Sequence, residues 1–225
     1  MRKNLSIYIH IPFCVKKCVY CDFLSFGADD PQINRSGAVR KAYVQSVCRE
    51  LLSYKIISKD YIVRTIFIGG GTPSILLPGE IMNILATLRS IFKVDEAAEI
   101  TIEVNPGTLT AIKAAEYLDA GINRMSIGLQ SAHNDELAML GRIHTYGSTF
   151  LNFFFTGDTS LFVCFVTACT VSVTMFQKNG PDQSVRPIII LVMGMLQSWI
   201  SQRSLTEGRP VIPEHHRQEV RSALH

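Results

Sequence analysis

Segments of strand character and segments of helical periodicity alternate four times between residues 6 and 140, which leaves few folds open to the chain. Residues 6–11 (SIYIHI) are short, β-branched and closed by Pro12, so they read as a buried strand. In residues 38–58, Val39, Tyr43, Val47, Leu51 and Leu52 recur at helical spacing and give one apolar face. A second strand, 62–68, ends at Gly69-Gly70-Gly71, and Pro78 opens a helix to about Phe92. A third strand (99–104, EITIEV) precedes a helix over 108–120 that Gly121 stops. A fourth strand (124–129, RMSIGL) precedes a helix capped by Asn134 and running through Leu140. This rhythm predicts an α/β chain with a parallel sheet, whose ligand sits at the carboxyl ends of the strands. The unusual residues fall there: cysteines after the first strand, glycines after the second, Glu103 ending the third and Gln130 following the fourth.

Six cysteines are present, and Cys14, Cys18 and Cys21 fall within eight residues. The N-terminus lacks the long apolar stretch and small-residue cleavage site of a signal peptide, so a reducing cytoplasm is the expected location. Cysteines there are more often metal ligands or catalysts than disulfides. Three thiolates in one loop can hold three irons of a 4Fe–4S cluster and leave the fourth open to a chelating ligand. Zinc is the alternative, but it normally takes four ligands, and only His10 is near enough in sequence to serve as the fourth. His10 itself reads as a packed strand residue, and Cys48, inside a helix, as a small buried hydrophobe.

The net charge of +3, with signs scattered, makes no case for nucleic acid or an acidic membrane surface. A hydrophobic content of 47% excludes disorder for most of the length. Charge is unevenly spread, however: residues 148–202 hold only Asp158, Lys178, Asp182 and Arg186 of the chain's 22 + 19 = 41 charged residues. The alternation stops after about Tyr146, and runs 159–177 and 187–202 contain no charge. Three readings are open for this part: a membrane hairpin, a buried subdomain, or out-of-frame translation from a shifted or damaged gene. The last is the expectation, with the organised unit at residues 1–146 and an unmatched low-charge tail at 147–225. No catalytic or cofactor ligand is expected beyond residue 150.

The segment Tyr8-Ile9-His10-Ile11-Pro12-Phe13-Cys14-Val15-Lys16-Lys17-Cys18-Val19-Tyr20-Cys21-Asp22-Phe23 resembles the cluster loop of the radical S-adenosylmethionine superfamily. Within it, the match is to the oxygen-independent coproporphyrinogen III oxidase-like group. Four further motifs agree in order: Gly69-Gly70-Gly71-Thr72-Pro73-Ser74, Ile102-Glu103-Val104-Asn105-Pro106, Gly128-Leu129-Gln130-Ser131 and Leu140-Gly141-Arg142-Ile143-His144. The resemblance covers roughly residues 5–146 and implies a partial parallel (β/α) barrel with four βα units recognisable of the family's six. It implies Cys14, Cys18 and Cys21 as ligands of a 4Fe–4S cluster. Tyr8 and Tyr20 would line the pocket of S-adenosylmethionine, which Gly70, Gly71 and Thr72 would contact. Glu103 would bind its ammonium or ribose hydroxyls, Gln130 its hydroxyls, and Arg142 its carboxylate through a guanidinium fork. Against these stand plainer roles: Glu103 and Arg142 pairing with each other, and Gln130 capping a loop.

The authentic oxidases typically carry another cysteine two positions after the third cluster cysteine, where this chain has Phe23. That departure resembles the haem-chaperone subfamily, which binds haem and passes it to respiratory proteins. Haem trafficking is therefore the first expectation, with haem or a porphyrin as ligand. The second is radical oxidative decarboxylation of coproporphyrinogen III, in which the reduced cluster cleaves S-adenosylmethionine to a 5′-deoxyadenosyl radical. An inactive fragment of either is the third.

Overall fold

The computed structural model describes residues 2–28, 37–153, 162–167 and 188–192. Strand β1 (Lys3–Ile11) follows from strict alternation: Leu5, Ile7, Ile9 and Ile11 are buried on one side, and Ser6 and Tyr8 are half-buried on the other. Two short strands, β2 (Phe13–Cys14) and β3 (Phe26–Gly27), pair with each other and close the cysteine loop at its base. Helix α1 (Ala38–Ser53) starts after Gly37, whose φ of 62° gives the chain a left-handed entry. It ends five residues before the sequence reading placed its end. Ile56 and Ile57 are exposed, so the apolar repeat brings no burial there, and a tight turn (Ile57–Asp60) takes over.

The remaining units are β4 (Tyr61–Gly70), α2 (Pro78–Ile91), β5 (Lys93–Val104), α3 (Ala111–Asp119), β6 (Arg124–Gln130), α4 (Asn134–Met139) and α5 (Tyr146–Phe153). Beyond them run β7 (Phe162–Thr167) and β8 (Ile188–Val192). The six long strands form one sheet in the order β7-β6-β5-β4-β1-β8, and every pairing is parallel. This is the α/β parallel architecture read from the alternation. β5 begins earlier than expected. Between Val63↔Val94 and Thr65↔Glu99 the register slips, so residues 95–98 (Asp-Glu-Ala-Ala) form an irregularity in the pairing. There Asp95 accepts from Arg64 Nη1 at 2.6 Å and caps the Ala97 amide.

The register divides the sheet into two unlike faces. One presents Ile7, Ile9, Ile66, Ile68, Ile100, Ile102, Met125 and Ile127, buried beneath α1–α3 in the hydrophobic core. Each such side chain contributes about 1.5–3 kcal/mol on burial. Arg40 Nε donates to both carboxylate oxygens of Glu80 and ties α1 to α2, and Glu80 also accepts from the Leu77 amide to start α2. The other face aligns Tyr8 with Phe67, Phe67 with Thr101, and Glu103 with Ser126. It is polar and aromatic, and helices do not account for its composition.

Of the expected tail, α5, β7 and β8 are described, and within the two uncharged runs the described residues are strands. No helix among the described residues is long and apolar enough to cross a membrane. Asp158 and residues 203–225, singled out in the sequence, lie outside the described residues.

Candidate cluster loop and cofactor rim

Cys14, Cys18, Cys21, Gly70, Gly71, Thr72, Glu103 and Gln130 lie at or just beyond the carboxyl ends of β1, β4, β5 and β6, with Tyr8 within β1 and Arg142 just after α4. The loop from Cys14 to Ser25 is held by its own backbone. Cys21 N donates to Cys18 O at 3.2 Å, Phe26 N to Pro12 O at 2.8 Å, and the Lys17 ammonium to the carbonyls of Phe23 and Ser25. Cys14, Cys18 and Cys21 all carry free thiols, Cys14 buried and the other two half-exposed. Burial pushes the Cys14 thiol up; the Thr72 hydroxyl, donating to its sulfur at 3.5 Å, partly offsets this, and Cys21 and Cys18 add to the rise. Neighbouring thiolates repel one another, and a bound cation or cluster relieves that cost. Among the described residues no three His, Cys, Asp or Glu are grouped to hold one metal ion. A 4Fe–4S cluster instead takes each thiolate on a different iron, so the donor set fits it.

His10 has both ring nitrogens engaged. Nε2 lies 2.8 Å from Leu24 O and Nδ1 3.2 Å from the Tyr8 hydroxyl. A carbonyl only accepts, so Nε2 carries the proton and Nδ1 accepts from Tyr8. Burial lowers the His10 pKa, in keeping with this neutral tautomer. His10 is thus the packed strand residue expected. Tyr8 stacks on Phe67 at 5.9 Å, with its hydroxyl turned toward His10.

The glycine run packs more tightly than a ligand cradle alone requires. Gly70 has φ 116°, and a Cβ there would lie 2.6 Å from the His10 ring. A Cβ on Gly71 would lie 2.7 Å from Phe13 O and 3.0 Å from the Cys14 sulfur. Their amides are committed: Gly70 N to Glu103 Oε2 (2.9 Å), Gly71 N to Ile11 O (2.8 Å) and Thr72 N to Phe13 O (2.7 Å). Glycine here lets the β4 loop press on the cysteine loop. What the run can offer a ligand is therefore its carbonyls.

Glu103 and Arg142 do not pair. Arg142 donates from Nη2 to Gly128 O at 2.8 Å, and from Nη1 to the Cys18 sulfur at 3.4 Å and the Tyr20 hydroxyl at 3.5 Å. Its Nε is buried with no hydrogen-bond partner among the described residues. Glu103 has no cation beside it among the described residues, and burial raises its pKa, partly offset by the Gly70 amide. A buried carboxyl near the end of β5 and an incompletely used guanidinium just after α4, bonded to Gly128 O of β6, suit a ligand carrying both an ammonium and a carboxylate. Gln130 ends β6 with φ 70°, the only non-glycine residue at positive φ among those described, and its side-chain amide has no hydrogen-bond partner among the described residues. That is a strained position rather than an ordinary loop cap. His144, quoted in a motif but given no role from sequence, proves to be buried beside this corner and donates to Leu129 O at 3.1 Å.

Comparison with known proteins agrees with this geometry. The family model of the radical SAM superfamily matches residues 8–151. The haem chaperone HemW of Escherichia coli (strain K12) is 43% identical over 140 residues, 62% of this chain and 35% of that protein. The mitochondrial radical S-adenosyl methionine domain-containing protein 1 of Danio rerio is 35% identical over 142 residues, 62% of this chain and 30% of that one. The solved structure of the E. coli coproporphyrinogen III oxidase HemN, a radical SAM enzyme, superimposes with TM-score 0.64 at 26% identity. That match covers 73% of this chain and 37% of HemN. The chain spans about a third of the length of the curated relatives it matches. With a parallel sheet whose carboxyl rim carries the three-thiol loop, and a family match over most of its length, the chain belongs to the radical SAM superfamily.

Proposed function

We propose that the chain is an iron–sulfur protein of haem-chaperone type, which binds haem and hands it to a respiratory acceptor protein. Membership of the superfamily implies a 4Fe–4S cluster and S-adenosylmethionine. In this reading Cys14, Cys18 and Cys21 hold the cluster. Arg142 takes the cofactor's carboxylate, Glu103 its ammonium or ribose hydroxyls, and Gln130 its hydroxyls, with Tyr8, Tyr20, Gly70, Gly71 and Thr72 around them. When bound, the cluster supplies one-electron reduction. The chain's own part is to hold Cys14 in a dry setting under Thr72, to keep Glu103 unpaired for a cation, and to aim Arg142 across the loop.

The observation that favours the chaperone over the oxidase is Phe23, 59% exposed on the cysteine loop where the oxidases carry a further thiol. Similarity to HemW supports the same reading. The test is anaerobic reconstitution with iron and sulfide, followed by haem titration and, separately, incubation with coproporphyrinogen III and S-adenosylmethionine. Stoichiometric haem binding without porphyrinogen oxidation is expected. Steady oxidation of the porphyrinogen would overturn the chaperone reading in favour of the oxidase. Cluster-loaded chain without affinity for haem would overturn it too.

A further inference from the structure

We propose that His144 is a positioning residue, a clamp that holds Gln130 in its left-handed conformation at the cofactor rim. The purpose of the clamp rests on the reading of this rim as the S-adenosylmethionine site; the clamp itself rests on geometry. His144 is only 6% exposed, and its Nε2 lies 3.1 Å from Leu129 O, so Nε2 carries the proton and donates. The same carbonyl accepts from Ser131 N at 2.9 Å. Two donors therefore converge on the peptide oxygen immediately before Gln130, whose φ is 70°. An L-residue leaves that region unless its surroundings fix the peptides on either side. On the far side, Ser131 is tied by its hydroxyl to Glu136 and accepts from His133 N at 3.0 Å.

The other ring nitrogen of His144, Nδ1, is buried without a partner among the described residues. Burying a bare acceptor is unfavourable, and a leucine or methionine would fill the same space without that penalty. The one bond that distinguishes histidine from such a side chain is the one to Leu129 O. Its effect reaches Gln130, whose side-chain amide is left without a hydrogen-bond partner among the described residues and stands beside Gly128 and Arg142.

The test uses the full chain and two readouts. The first is stability, with no ligand. Gln130→Gly removes the strain of a left-handed side chain, so it should raise the melting temperature by about 2–4 °C while His144 is present. In a His144→Met background the peptide can relax, and the gain should vanish. His144→Gln supplies an amide N–H in place of Nε2–H and should keep it. An equal gain in the His and Met backgrounds overturns the proposal. Where His144→Met does not fold, a folded His144→Gln that lacks the gain overturns it as well. The second readout is equilibrium binding of S-adenosylmethionine to the cluster-loaded chain. His144→Met should weaken binding about tenfold, His144→Gln by less than about threefold, and His144→Met added to Gln130→Ala by less than about twofold more. A full tenfold loss on top of Gln130→Ala shows that His144 acts independently of Gln130 and overturns the clamp. Wild-type chain that shows the stability pattern and holds its cluster, yet binds no S-adenosylmethionine, supports the clamp and counts against the cofactor reading alone.

Discussion

Single side chains divide into those proposed to hold metal and those that keep charge out of water. Replacing Cys14, Cys18 or Cys21 with Ala should each abolish the broad absorbance near ~400 nm that thiolate-held iron–sulfur clusters show, whereas Cys48→Ala should leave it unchanged. Cys48 belongs to α1 and packs against the hydrophobic core, far in sequence from the loop. Iron content and the visible spectrum after anaerobic reconstitution check this, and zinc uptake without iron would refute it. Glu103 makes a prediction of opposite sign for stability and function. Its pKa is raised from 4.5 by burial, so the folded chain prefers the neutral carboxyl. Its favourable contribution is fully present below the unfolded value and is lost as pH rises through the folded one. Glu103→Gln keeps an acceptor for Gly70 N and removes that loss. Without cofactor it should therefore be more stable at pH 7 by about 0.5–2 kcal/mol, and little changed at pH 4. Urea denaturation at the two pH values measures this, and S-adenosylmethionine affinity should fall in the same variant.

At the level of elements, the seam between the cysteine loop and the β4 loop is the sensitive one. Gly71→Ala puts a methyl 2.7 Å from Phe13 O and 3.0 Å from the Cys14 sulfur, so one of the two loops must retreat. The variant should lose about 1–3 kcal/mol in denaturant and retain less iron, whereas Gly79→Ala, with open space around its Cβ, should be neutral in both. The sequence made the four βα units legible because Leu5, Ile7, Ile9, Ile66, Ile68, Ile100 and Ile102 keep a period of two and Pro78 marks a helix start. Asn134, expected to cap α4, is instead its first residue, after His133, and its side chain accepts from Tyr146 N. The sequence did not make legible the start of β5, since Asp95-Glu96-Ala97-Ala98 interrupts the register and carries no alternation. β2 and β3, two residues each, are too short for any period to appear. The candidate site was legible as residue types along the chain. Its internal wiring was not: that Glu103 answers Gly70 N depends on register between strands whose partners lie 33 residues apart, and that Arg142 answers Gly128 O and not Glu103 depends on how the turn after α4 folds back onto β6. His144 could have been suspected only from its place two residues after Arg142 in a motif.

For the whole molecule, the sheet order sets what truncation would do. β1 lies between β4 and β8, and β6 between β5 and β7. A chain ending at residue 153 would uncover one full parallel edge on β1 and another on β6. Such a chain should self-associate through those edges, which light scattering and size-exclusion chromatography would show against the 225-residue chain. A monodisperse truncated chain that takes up iron normally would mean that β7 and β8 add nothing to the sheet. The same topology bears on the order of synthesis. Cys14 is sheltered by Thr72, which leaves the ribosome 58 residues after it. At 5–20 residues per second, the thiols wait about 3–12 s before the loop that covers the innermost of them exists. A nascent chain is therefore most open to oxidants and stray metals in that interval, and iron delivered before residue 72 has emerged would meet three thiols but no fold to hold them.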